Sequence, residues 1–106
     1  MFIKSDTRDT EDLGGGVTRK ILAYAGLLMS AEVRFKKGAI GVLHSHVHEQ
    51  ITYVLEGSFD VTIGQKKEIL NKGDMFYVGP DLEHGVVALA DGALLDTFAP
   101  QREDFL

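Results

Sequence analysis

No stretch of this chain sustains a 3.6-residue apolar period over three turns. Its apolar residues come in short runs that alternate with polar ones and are cut off by glycine. Val17, Arg19, Ile21 and Ala23 alternate with Thr18, Lys20, Leu22 and Tyr24, and Ala31–Phe35 alternates until Lys36-Lys37-Gly38. Ile51–Leu55 meets Glu56-Gly57-Ser58 and then Phe59–Ile63, which reads as a hairpin; Gly64-Gln65-Lys66 is a further turn. Met75–Val78 reads as a short buried strand stopped by Gly79-Pro80. Val86–Leu89 and Ala93–Phe98 flank Asp91-Gly92, a type I′ hairpin signal. Alternation places side chains of equal parity on one face. Many short strands with frequent glycine turns predict an all-β sandwich or barrel.

The 106 residues suffice for one domain, taken as 1–106, with residues 1–12 as a polar N-terminal arm. Gly14-Gly15-Gly16 reads as a flexible joint, because it lacks the Lys-Ser/Thr of a phosphate-binding loop. With no cysteine, the chain has no disulfide, no thiolate metal site and no cysteine nucleophile. A net charge of -5 argues against a general nucleic-acid binder, while a local positive site still allows a small anionic ligand. The start turns polar at once, and the apolar run Ile21–Met29 is broken by Gly26 and too short to span a bilayer. The expectation is a cytoplasmic protein with neither nucleic-acid nor membrane partner.

Three of the four histidines fall at His44, His46 and His48, with Gln50 at the next position of the same parity. On a strand, His44 and His46 project side by side. Two imidazoles facing inward are costly unless they are hydrogen-bonded or coordinate a metal. Imidazole nitrogen suits Zn, Fe, Ni, Cu and Mn to differing degrees, which makes a metal site the leading reading and a surface histidine strand the plain alternative.

From Gly38, five residues lead to His44-Ser45-His46, three more to Gln50 and six more to Gly57. This resembles the first motif of the cupin superfamily, G-x5-H-x-H-x3-E-x6-G, with Gln50 at the Glu position. The stretch from Gly73 resembles the second motif, G-x5-P-x-G-x2-H-x3-N: Gly73 and His84 match its first Gly and its His, with Gly79 at the Pro position, Asp81 at the Gly position and Ala88 at the Asn position. The resemblance implies a single jelly-roll barrel holding one divalent transition metal (Ni, Zn, Fe or Mn) on His44, His46, Gln50 and His84. His48 is not part of the pattern and is assigned to the rim or to the surroundings of the ligands. A carboxamide ligand is neutral and leaves the ion its full charge. Gln50 therefore favours Lewis-acid work on an oxygen-rich substrate over oxygen chemistry.

The stretch Phe98–Leu106, with His44–Gln50, resembles the small pectin-degradation cupins of the KdgF type over roughly Leu13–Leu106. That family implies metal-dependent linearisation of 4,5-unsaturated uronate monosaccharides to a 5-keto-4-deoxyuronate, a small anionic sugar as partner, and a homodimer. It also implies that Asp96, Phe98 and Arg102 line the sugar site. Asp96 shares parity with Leu94 and Phe98 and would point into the barrel as an acid/base. Arg102 would offer a fork to the substrate carboxylate, and Phe98 an apolar wall. Tyr53 and Tyr77 read as barrel core. The alternatives are another metal-dependent cupin enzyme, a dioxygenase or isomerase, and a non-catalytic sugar-binding cupin.

Overall fold

The computed structural model describes residues 1–106 and contains ten strands and two short 3-10 turns. The strands are β1 (Glu11–Gly14), β2 (Val17–Tyr24), β3 (Met29–Phe35), β4 (Ile40–His44), β5 (Glu49–Glu56), β6 (Ser58–Ile63), β7 (Lys66–Asn71), β8 (Met75–Val78), β9 (His84–Ala88) and β10 (Gly92–Ala99). They form a six-stranded sheet in the order β1-β2-β3-β10-β5-β8 and a four-stranded sheet in the order β4-β9-β6-β7. All pairings are antiparallel. No helix is long and apolar enough to cross a membrane.

The alternation in the sequence translates directly into facing. Val33, Phe35, Val54, Phe59, Val61, Val78, Val86 and Leu94 leave the inner faces of both sheets and form one buried cluster. Phe35 meets Phe59 edge to face at 5.3 Å, the favoured geometry for two aromatic quadrupoles. On β5 and β8 the alternate residues face outward and are exposed.

Five expectations about local structure are corrected. Ile51–Leu55 and Phe59–Ile63 are not a hairpin, because β5 lies in the larger sheet and β6 in the smaller. The chain crosses between the sheets at Gly57 (φ 79°), where a Cβ would stand 2.6 Å from the carbonyl of Asp91. Asp91-Gly92 is a second crossing, not a type I′ turn: neither residue has a positive φ, and Asp91 accepts the amide of Lys37 at 2.8 Å. Gly15-Gly16 is a two-residue hairpin turn with both φ positive, which pairs β1 with β2 and draws the end of the polar arm into the sheet. Met75–Val78 is half-exposed: Phe76 and Val78 are buried, whereas Met75 and Tyr77 face outward beside Tyr53 and Ile51. Tyr53 and Tyr77 are therefore outer-face residues, not core. Strand β7, which is charged and mostly exposed, has no apolar pattern to announce it.

Candidate metal centre

The strands that form the apolar cluster carry a different set of residues toward their other end. On β5, Val54 is followed inward by Thr52 and Gln50; on β10, Leu94 by Asp96 and Phe98; on β9, Ala88 and Val86 by His84. Cross-strand pairing brings these sets together. Asp96 lies opposite Thr52, Phe98 opposite Gln50, and His44 opposite His84. Only His44 ends a strand in the way the parity argument expected. His46 and His48 lie in the loop between β4 and β5. That loop is fixed by the amide of Asp81, which donates to the carbonyl of His46 at 2.7 Å.

One ring nitrogen each of His44, His46 and His84 lies within 4.8 Å of the others. Their Nδ1 atoms each meet a backbone carbonyl: Val42 at 2.7 Å, His48 at 3.0 Å and Leu82 at 2.9 Å. A carbonyl only accepts, so each Nδ1 carries the hydrogen and each Nε2 presents a bare lone pair. The Oε1 of Gln50 stands 3.0 Å from Nε2 of His46 and 3.1 Å from Nε2 of His84. It is an acceptor too, because the Nε2 of Gln50 donates to Oγ1 of Thr52 at 2.8 Å and to Oδ1 of Asp96 at 3.3 Å. Three imidazole lone pairs and a carboxamide oxygen thus converge with no hydrogen to share. A cation resolves this arrangement, and the donor set suits one divalent metal.

Burial reinforces the neutral form of His46 and His84. Desolvation lowers the pKa of His84 to about 4, with the neighbouring charges of His44, His46 and Arg102 acting in the same direction. His46 is also lowered, mainly by burial. A ligand that is already deprotonated near neutral pH binds metal without competing strongly with protons.

Asp96 lies behind Gln50. The hydroxyl of Thr52 donates to its Oδ1 at 2.6 Å. Burial raises its pKa to about 6, against the lowering effects of Thr52, His44, Arg102 and Gln50. It lines a cavity of about 270 Å³ shared with His44, Gln50, His84 and Phe105. Phe98 is 2% exposed and meets the edge of His46 at 5.8 Å. Arg102 is buried, stacks over Phe105 at 4.3 Å and donates to both oxygens of Asp104 at 2.9 and 2.6 Å. His48 packs edge-on to His46 at 5.5 Å, and its Nδ1 is buried without a hydrogen-bond partner.

Two residues at this end escaped the sequence reading. Thr52 joins Gln50 to Asp96. Arg19 lines the cavity from β2, and its signal was present: it is a charged residue on the inward parity of an apolar strand.

A model of the cupin domain matches residues 31–97, and the chain belongs to the cupin family. It is 48% identical over 107 residues to the pectin degradation protein KdgF of Dickeya dadantii, covering 99% of this chain and 96% of that one. The structure of KdgF from a Halomonas species superposes with a TM-score of 0.95 at 39% identity, covering 100% of this chain and 98% of the other. An RmlC-like cupin from Shewanella frigidimarina superposes with a TM-score of 0.96 at 42% identity, covering 99% and 95%.

Proposed function

We propose that this chain, as a single cupin domain, is a metal-dependent enzyme of pectin breakdown that opens 4,5-unsaturated uronate monosaccharides to a 5-keto-4-deoxyuronate. The observation that carries the reading is the convergence of four proton-free acceptors beside a carboxyl group whose pKa is raised to about 6. The near full-length identity to a pectin degradation protein supplies the substrate class.

The reaction is an isomerisation. The anomeric hydroxyl gives up its proton, C1 becomes an aldehyde, and the C1–O5 bond breaks with its electron pair on O5. The resulting enolate takes a proton at C4 and becomes the ketone at C5. Asp96 is the group to carry the proton: it lines the cavity beside Gln50 and the histidines, and burial holds its carboxyl above the ordinary carboxylate range. Phe98 forms an apolar wall against His46, and Arg102 adds a desolvated positive charge beside it. His44, His46, His84 and Gln50 would hold the metal, which when bound supplies Lewis-acid stabilisation of negative charge on oxygen. The cavity is small and mostly apolar, which strengthens such charge interactions.

The outer face of β5 and β8 supports a homodimer. Ile51 pairs with Tyr77 and Tyr53 with Met75, and all four are between 38% and 55% exposed. Light scattering at the mass of two chains would agree with this assignment.

The test of the reaction is the absorbance of the conjugated double bond of a 4,5-unsaturated galacturonate. The protein should accelerate its loss, and Asp96→Asn should abolish most of that acceleration while retaining metal. A rate equal to the uncatalysed one removes the reading; an unimpaired Asp96→Asn protein removes Asp96 as the proton carrier.

A further inference from the structure

We propose that Arg19 is the residue that binds the substrate carboxylate and sets the specificity for uronates; this rests on the uronate reading above. The sequence alone pointed to Arg102. The geometry favours Arg19, because it is the one permanently charged cation among the residues lining the cavity that holds His44, Gln50, His84 and Asp96. Arg102 does not line that cavity, and Asp104 occupies its fork at 2.9 and 2.6 Å.

Arg19 is built for exchange of its anionic partner. Its side chain is only 14% exposed, yet the carboxylate it meets, Glu11, is 41% exposed on the edge strand β1. The two bonds, from Nε at 3.3 Å and Nη2 at 3.2 Å, are longer than the 2.7–2.9 Å usual for charge-assisted pairs. Its Nη1 has no hydrogen-bonding partner in the protein. The guanidinium plane is fixed from the other side by the ring of Phe105, whose centroid is 3.8 Å from the guanidinium carbon. A planar fork held by stacking, with donors to spare, matches a carboxylate.

Position completes the assignment. Arg19 pairs with Val33, which pairs with Leu94, the inward neighbour of Asp96 on β10. Arg19 thus stands two strands from β10, about 10 Å across the sheet. In the substrate, the carboxylate at C5 and the hydroxyl at C1 lie on opposite sides of the ring oxygen. Anchoring the carboxylate at Arg19 turns the anomeric hydroxyl toward Asp96 and the histidines. With a net charge of -5 on the chain, a local cation is also what an anionic sugar needs in order to approach.

The test compares the unsaturated galacturonate with its methyl ester, which lacks the negative charge, on metal-loaded parent protein, Arg19→Met and Arg102→Met. The parent should prefer the acid, with KM lower by about tenfold to a hundredfold. In Arg19→Met, KM for the acid should rise by that factor, KM for the ester should barely change, and metal content should equal that of the parent. In Arg102→Met the preference for the acid should persist, whatever the loss of rate. Arg19→Lys covers a failure of Arg19→Met to fold; it keeps the charge but not the fork, and should lose part of the discrimination. Discrimination that survives in Arg19→Met, or vanishes in Arg102→Met alone, overturns the assignment while leaving the reaction intact. A parent protein that accelerates neither compound defeats the uronate reading and this inference with it.

Discussion

The two ends of this barrel are made from the same strands, and they differ only in what occupies the inward positions. At one end Val54, Leu94 and Val86 pack around Phe35 and Phe59. Two residues along the same strands stand Thr52, Asp96 and His84. The apolar end excludes water and gains from burial. At the polar end the inward polar groups are costly on their own: Asp96, Thr52 and Gln50 are stabilised by hydrogen bonds to one another, whereas the oxygen of Gln50 and the histidine nitrogens need a cation between them. Facing is set by strand period; function is set by which residue type fills a layer.

The largest effect on this comparison should come from the apolar end. Phe59→Ala removes a fully buried ring and should cost about 3–5 kcal/mol in denaturant unfolding. The metal bound per folded chain should be unchanged, because the cavity created lies among apolar neighbours. Loss of metal from the folded fraction would show that the two ends are not separable.

Thr52→Val tests the opposite end. It keeps the shape of the side chain and removes the hydroxyl that joins Gln50 to Asp96. Metal affinity should fall by about tenfold to a hundredfold in competition with a chelator, the usual cost of losing a group that orients a ligand. Unaltered affinity would mean that Gln50 is held by strand geometry alone.

A subtler test uses pH on metal-free protein. His84 has its pKa lowered from 6.5 to about 4, so the folded state binds fewer protons than the unfolded one in that window, and stability falls as pH drops through it. Asp96 has its pKa raised from 3.8 to about 6, so its contribution falls as pH rises through that window. The two slopes oppose each other. Asp96→Asn removes one of them, and its stability relative to the parent should increase between about pH 4 and 6. A pH-independent difference in urea midpoints would place Asp96 in a far more solvated site than described.

The legible part of the molecule was its inward pattern. Alternation at Ala31–Phe35 and Ala93–Phe98 located strands and their inner faces, and placed Asp96 beside Leu94 and Phe98. Sheet membership was not legible, because Gly57 and Asp91-Gly92 look like hairpin turns whether the chain folds back or crosses to the other sheet. The position of His46 was hidden for a similar reason: a period of two persists in sequence after β4 has ended. The second motif looked degenerate at Asp81, yet Asp81 adopts φ 62°, the left-handed region that a glycine would supply there. Asp81→Gly should accordingly leave the metal centre intact and raise stability by no more than about 1 kcal/mol. A clear destabilisation would give the Asp81 side chain a role beyond its backbone. Arg19 was visible as a residue but not as part of the site, since its meaning depends on a cavity that only the closed barrel creates.

The most direct test of the central claim, that the polar end is one metal centre, is metal content per folded chain in the parent and in His84→Ala. The parent should bind one divalent metal per chain. His84→Ala should keep the β-sheet circular dichroism spectrum and lose the metal. A folded His84→Ala protein with full occupancy, or a folded parent that takes up no divalent metal, would contradict the account.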